Sequence, residues 1–352
     1  MTDIEWARNV DGSRGKTWNP VVGCSIKSPG CIHCYAMRLA WRLIAMGQAR
    51  YRGTVKKVKG QVVWTGKMVQ APEETIFEPL RRKKPTTYFV NSMSDLFHED
   101  LPDDWIDLVF AVMALSPQHT YQVLTKRSAR MRAYFQRPDL YRRVLFFADN
   151  SLRAWRPELR GIGIDDPARS PLKNVWLGVS TERQQEANER IPDLLATPAA
   201  VRFISAEPLL GRIDLRQIIR EGINGAFVDN ALDGFVSNGC GGSYGPKLDW
   251  VIVGGESGKD ARPMHPDWAR ALRDQCTAAG VAFFFKQWGA WAPVGWVHAA
   301  STGALLRPDG HVCRDRSQLA PSGNYEMARL GKARAGRLLD GTTYGEMPRR
   351  AA

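Results

Sequence analysis

The chain alternates short apolar runs with amphipathic segments, and this alternation limits the possible folds more than any other feature. Thr87–Asn91, Tyr121–Thr125, Val175–Val179, Val201–Ser205, Trp250–Gly254 and Val281–Lys286 read as strands. Several are apolar at nearly every position, as strands covered on both faces of a parallel sheet must be. Between them, Asp103–Ala114 puts Trp105, Ile106, Val109, Phe110 and Met113 on one helix face, and Glu182–Leu195 and Pro266–Ala279 behave similarly. Pro102 and Pro266 stand where helices begin, and Gly280 where one stops. Strand–helix–strand units of this kind join right-handed and parallel. The segment before Cys24 supplies a candidate first strand. The expected fold class is α/β: a parallel (β/α) barrel, complete or partial, over residues 1–290, with a C-terminal extension over 291–352. Insertions interrupt the barrel at about 150–173 and 221–247. The second, with Gly239-Cys-Gly-Gly-Ser-Tyr-Gly245, reads as a long flexible loop suited to a lid. Helical character returns near Tyr325–Leu339.

Each strand runs into polar residues at its C-terminal end. Asn91, Ser92, Ser94 and Asp95 follow one strand, Lys126 the next, then Ser180 with Glu182, Ser205 with Glu207, Glu256, and Lys286 with Gln287. In a parallel barrel of the TIM type these ends share one rim, where such barrels place their chemistry. Helix caps alone do not call for Lys126, Glu207, Glu256, Lys286 and Gln287 together. Familiar phosphate motifs fail. Gly254-Gly-Glu-Ser-Gly-Lys259 lacks the first glycine of a phosphate loop, and Asp260 stands where Ser or Thr belongs.

Cys24, Cys31 and Cys34, spaced C-x6-C-x2-C in a Gly- and Pro-rich loop, open onto the same rim. Three thiols leave one over after a disulfide and fall one short of a four-cysteine site. They suit a four-iron cluster in which three irons take thiolates and the fourth stays open. Structural zinc remains an alternative, with His98, His119 or His265 as a distant fourth ligand. Six cysteines in 352 residues do not resemble a secreted disulfide framework. No apolar run is long enough to span a membrane and no secretory leader is evident, so the expectation is a cytoplasmic protein without a membrane partner. The net charge is +13. From Arg38 to Lys84 twelve Lys and Arg face three Glu, interleaved with Trp41, Tyr51 and Trp64. The tail adds Arg329, Lys332, Arg334, Arg337, Arg349 and Arg350. Such stretches suit a nucleic-acid partner.

Three clustered cysteines after the first strand of a parallel α/β barrel resemble the radical S-adenosylmethionine superfamily. Its usual spacing is C-x3-C-x2-C, and here the first gap is six. A closer set of stretches spans nearly the whole chain: Thr17-Trp-Asn-Pro20 with Gly23-Cys24, Gly30-Cys31-Ile-His-Cys34-Tyr-Ala36, Asn91-Ser-Met-Ser-Asp-Leu-Phe97, Leu124-Thr-Lys-Arg127, Leu177-Gly-Val-Ser180, Ser205-Ala-Glu-Pro-Leu209, Asp249-Trp-Val-Ile-Val-Gly-Gly-Glu-Ser-Gly258, Phe285-Lys-Gln-Trp-Gly289 and Leu339-Asp-Gly341. In these the chain resembles a phage-associated family of radical-SAM-like proteins named for phage gene products thirty-seven and sixty-eight.

The resemblance implies a [4Fe-4S] cluster on Cys24, Cys31 and Cys34, with S-adenosylmethionine on its open iron. An electron from a donor such as flavodoxin or ferredoxin then yields a 5′-deoxyadenosyl radical that takes hydrogen from substrate. Strand position assigns Asn91, Ser92, Ser94 and Asp95 to the methionine or ribose end. Ser180, Glu182, Ser205 and Glu207 fall to the adenosyl moiety or substrate, and Lys286 and Gln287 to closing the rim. Lys126, Glu207, Glu256 and Lys286 are the catalytic candidates and the others bind the cofactor. The substrate expected from the basic stretches is nucleic acid or a nucleotide, for repair or modification. Two alternatives use the same residues: a zinc-stabilised nucleic-acid-binding protein without catalysis, and a barrel hydrolase with Glu207 and Glu256 as its acid–base pair.

Overall fold

In the computed structural model, which describes residues 4–222, 225–293, 303–313 and 323–348, seven strands pair into one sheet. They are β1 (Lys16–Trp18), β2 (Thr87–Val90), β3 (Thr120–Thr125), β4 (Val175–Ser180), β5 (Val201–Ala206), β6 (Trp250–Gly254) and β7 (Ala282–Gln287). All six pairings are parallel, and strand order follows chain order. Among the described residues no pairing joins β7 to β1, so the sheet is a curled half-barrel.

The two-residue period of a strand divides its side chains between two cores. Tyr88, Val90, Tyr121, Val123, Leu177, Val179, Val251 and Val253 face outward into the larger core. There they meet α2 (Asp103–Ala114), α4 (Gln184–Leu195) and α5 (Pro266–Ala279), through residues such as Phe110, Ile191 and Leu272. Helix α1 (Tyr35–Ala45) follows the cysteine loop, and α3 (Ser128–Phe135) follows β3. The alternate residues Phe89, Trp176, Phe203, Trp250, Ile252 and Phe284 form the second core on the concave face. Trp6 fills that face, its ring 4.8 Å from Phe89 and 5.9 Å from both Phe203 and Trp250. The exposed edge of β7 is covered by the C-terminal segment: Phe285 N donates to the Tyr344 carbonyl at 3.1 Å, and Glu346 N to Phe283 at 3.2 Å.

Two expectations about irregular segments change. Residues 221–247 are not a long loop. Ile218–Gly222 pairs with Gly225–Asp229, and Phe235–Ser237 with Gly242–Tyr244, so two antiparallel hairpins satisfy this backbone. In the tail, Tyr325–Arg329 is a strand rather than a helix, and only Lys332–Ala335 is helical. The strand lies between Trp291–Pro293 and Gly303–Leu306 and buries Met327 and Ala328, a tertiary pairing that outweighs local helix preference. Val312–Cys313 completes this antiparallel sheet. Arg349 and Arg350 lie outside the described residues. No helix among the described residues is long and apolar enough to cross a membrane.

Candidate functional site at the strand C-termini

The cysteine loop leaves β1 and is pinned along its length. Val21–Val22 pairs with Val69–Gln70, and Gly23 N donates to the Met93 carbonyl at 3.1 Å. Gly23 has φ 100°, and a Cβ there would strike the Lys67 carbonyl, so only glycine fits. Cys34 N donates to Cys31 O at 3.2 Å, and α1 starts one residue later. Cys31 is buried; Cys24 and Cys34 are half-buried and pack on Val22, Met37 and Trp64. The thiols are electrostatic neighbours. Burial pushes the Cys24 thiol up to about 12, Arg127 pulls against it, and Cys34 and Cys31 add to the rise. Burial raises Cys34 as well. Thiols in such a setting lose their protons to a bound metal more readily than to water.

Three strand ends brace this loop. From the end of β3, Arg127 donates to the Ser25 hydroxyl at 2.8 Å and carbonyl at 3.2 Å, and its Nη1 lies 3.8 Å from Cys24 Sγ. Asp95 holds Arg127 at 3.2 Å, and its two oxygens also accept from Phe97 N, Thr125 Oγ1 and Lys126 N. After β4, the fully buried Glu182 accepts from Ser28 at 2.7 Å, from Arg190 at 3.0 Å and from Lys126. Burial alone would raise this carboxyl; Lys126 and Arg190 outweigh it and hold it at about 2. Gly30 lies so close to Glu182 that a Cβ would collide with the carboxylate. After β6, Arg262 bonds Glu256 at 2.6 and 2.8 Å and reaches the Pro29 carbonyl at 3.0 Å.

A second charged group gathers at the ends of β5 and β7. Lys286 Nζ sits 2.7 and 2.9 Å from the Glu207 oxygens and 3.7 Å from Glu5, which also pairs with Lys332 at 2.6 Å. Burial works against the charge of Lys286, but Glu207 and Glu5 outweigh it and raise its pKa. Gln287 bonds Ser257 at 3.1 Å and Glu207 at 3.4 Å. The Tyr35 hydroxyl donates to the Ser92 carbonyl at 3.2 Å. Loss of solvent at that hydroxyl, then Cys34 and Glu207, push its pKa up, so it lies within electrostatic reach of both.

The remaining predicted residues divide. The Ser92 hydroxyl donates to Asn19 and that of Ser94 to the Val21 carbonyl, so both support the loop, as Asp95 does. Ser180 and Ser205 are direct cross-strand partners and both are buried. Asn91 is the exception. It is 3% exposed, has φ 58°, and neither atom of its amide has a partner. Buried amides almost always find hydrogen bonds, so this amide is open to a partner; that of Gln122, fully buried in β3, is unsatisfied in the same way. Glu207 and Glu256 do not pair with each other; each is held by its own cation.

Sequence reading missed Arg127, Ser28, Arg190, Arg262 and Glu5. Only Arg127 carried a signal, its place beside Lys126 at a strand end. The three histidines considered for zinc use both ring nitrogens elsewhere. His98 meets Ser25 and Asp100 N, His119 meets Thr86 N and the Pro79 carbonyl, and His265 meets Asp267 N and the Gly323 carbonyl. Among the described residues no group of three or more His, Cys, Asp or Glu is spaced to hold a single metal ion. A cavity of about 190 Å³ opens at the opposite end of the sheet, between Asn9, Lys84, Thr87 and Thr120, away from this chemistry.

Residues 1–348 match the family described as Protein of unknown function (DUF5131), and the chain belongs to that family. Neither the comparison with curated proteins nor that with solved structures gave a match.

Proposed function

We propose that this member of the DUF5131 family is an iron–sulfur enzyme of the radical S-adenosylmethionine type that acts on nucleic acid or a nucleotide. The observation that carries the reading is the donor set: three neighbouring thiols on one braced loop at the strand C-termini, with the candidate histidines engaged elsewhere. Three thiolates match a four-iron cluster with one iron left open. When bound, the cluster and S-adenosylmethionine supply a 5′-deoxyadenosyl radical and so the hydrogen abstraction. The protein's part is to bind, orient and shield.

In this reading Cys24, Cys31 and Cys34 hold the iron. Arg127, beside Cys24, offsets thiolate charge and fixes the ligand's direction. The free amide of Asn91 offers a donor and an acceptor to the methionine or ribose end of the cosubstrate. Ser180 and Ser205 line the concave face below the rim, toward the adenosyl moiety or substrate. The Lys286–Glu207 pair, with Glu207 in electrostatic reach of Tyr35, orients a polar substrate group. Trp6, Phe203 and Trp250 close the floor against water. Such a centre needs an electron donor of the flavodoxin or ferredoxin kind and a reducing, cytoplasmic setting.

The test is protein purified without oxygen, analysed for iron, sulfide and zinc with its absorption spectrum, beside Cys31→Ala. About four irons and four sulfides with visible absorption, lost in the variant, support a cluster. Addition of S-adenosylmethionine and a reductant then gives 5′-deoxyadenosine. Colourless protein with zinc overturns the reading.

A further inference from the structure

From Gly12 to Pro72 the chain has eleven Lys and Arg and no Asp or Glu. Of the net +13, eleven charges therefore come from this stretch, and the other 291 residues together carry only +2. The excess charge of the protein is concentrated in one stretch of the chain, most of which forms an arm around the cysteine loop.

The arm has two sides. Its inner side packs around the cysteine loop: Met37 and Ala40 of α1, Tyr51, and Val55 and Trp64 of a hairpin share one core with Cys24 and Cys34. The hairpin pairs Val55–Val58 with Gln61–Trp64. Its outer side is exposed and carries Arg42 on α1 and Lys56, Lys57 and Lys59 on the hairpin. Among the described residues these four have no carboxylate partner. Other basic residues of the stretch do, such as Lys27 with Glu99 at 3.6 Å and Arg38 with Asp260 at 3.9 Å. Apolar surface is exposed beside the charges: Ile32 is 48%, Tyr35 44% and Trp41 37% exposed. The Lys57 ammonium stands 4.8 Å over the Trp41 ring.

We infer that this arm grips the phosphate backbone of a single-stranded nucleic acid and lays its bases over Trp41 and Tyr35 toward the rim. Unpaired cations without carboxylates nearby suit phosphates, whose binding releases counterions. Exposed aromatic rings among them suit unpaired bases, which stack without sequence preference. A duplex keeps its base faces hidden and uses only the charges. Tyr35 follows Cys34 directly, so a strand on the arm reaches the cysteine loop without a separate domain. The inference deepens the proposed function by naming where and in what form the substrate binds. It rests on that reading only for the purpose of binding.

The experiment is fluorescence anisotropy with the full chain and a labelled single-stranded oligonucleotide of about 15 nucleotides, as DNA and as RNA, beside the matching duplex. Binding is measured over a salt series, with iron determined in the same preparations. Lys56→Glu/Lys57→Glu/Lys59→Glu is expected to lose at least tenfold in affinity. Its salt slope should flatten by about 2, at roughly 0.7 per phosphate contact. A control with the same change in net charge, Arg142→Glu/Arg160→Glu/Arg169→Glu, should stay within about twofold of the parent, and thermal melts of both variants should match it. Trp41→Ala should weaken single-strand binding and leave duplex binding unchanged. The inference is overturned if the parent does not bind, if the duplex binds as tightly as the single strand, or if the control loses as much as the hairpin variant. Binding by iron-free protein would sink the cluster and leave the arm standing; cluster-loaded protein that ignores the strand would do the reverse.

Discussion

Replacing Glu182 with Gln tests whether the cysteine loop is held by a buried charge network. The carboxylate is fully buried, and its partners are Ser28 on the loop, Lys126 after β3 and Arg190 on α4. It is held at about 2 against an ordinary 4.5. Each pH unit of separation is worth about 1.4 kcal/mol, so ionised Glu182 contributes about 3 kcal/mol to folding. That agrees with the cost of breaking a buried pair, about 3–5 kcal/mol. Because the folded value lies below the unfolded one, the contribution is complete above about pH 4.5 and is lost as pH falls toward 2. Glutamine keeps the shape and an acceptor for Ser28 but cannot titrate. The variant should therefore be about 3 kcal/mol less stable at pH 7, and the gap should shrink to about 1.4 kcal/mol at pH 3. Urea unfolding at both pH values, with an unchanged m-value, measures this. A gap below about 1 kcal/mol at pH 7, or one that does not change with pH, refutes the reasoning.

Asn91→Gly should keep or slightly raise stability, since glycine accepts φ 58° freely and removes an unsatisfied amide. Calorimetry on iron-loaded protein should nonetheless show S-adenosylmethionine binding at least tenfold weaker; a loss of stability instead would make Asn91 structural. Trp6→Ala should cost about 3–5 kcal/mol in urea unfolding, because it empties the concave face between Phe89, Phe203 and Trp250. A cost under about 1 kcal/mol would mean that Trp6 does not support the half-barrel. Replacing all three clustered cysteines by serine should leave circular dichroism and the melting temperature close to those of iron-free parent protein, since Arg127, Glu182 and Arg262 hold the loop without metal. Unfolding of that variant would mean that metal binding is itself the folding energy, as in zinc fingers.

The parallel sheet was legible because its strands are buried on both sides and so are apolar almost throughout. The six strands read from sequence agree with β2 to β7 to within one residue at either end. Helices α2 and α5 agree fully, with Gly280 in the left-handed region at φ 64° just past α5. The failures lie where pairing partners rather than patterns decide the structure. Ile218–Gly222 becomes a strand by pairing with Gly225–Asp229, and Tyr325–Arg329 by lying between two strands from earlier in the tail. Neither segment carries an apolar alternation of its own. Trp6 gave no signal either, because a single tryptophan near a terminus has no period.

The rim was legible as a place and not as a set of roles. Position at a strand end puts a residue near the rim whatever its side chain then does. Roles depend on partners distant in the chain, such as Ser28 for Glu182, Ser25 for Arg127 and Pro29 for Arg262. These pairings divide the candidates. Asp95, Glu182 and Glu256 are consumed in holding the cysteine loop, and Lys126 is shared with Glu182. A carboxylate already satisfied by two or three donors gains little from a ligand, because it must give up protein hydrogen bonds to receive new ones. Asn91 is the opposite case, a buried amide without a partner among the described residues. The Lys286–Glu207 pair is less closed: the lysine is 11% and the carboxylate 20% exposed. Under the proposed function, ligand chemistry at this rim falls to Asn91, Ser180, Ser205 and the Lys286–Glu207 pair, while the remaining polar residues brace the cysteine loop.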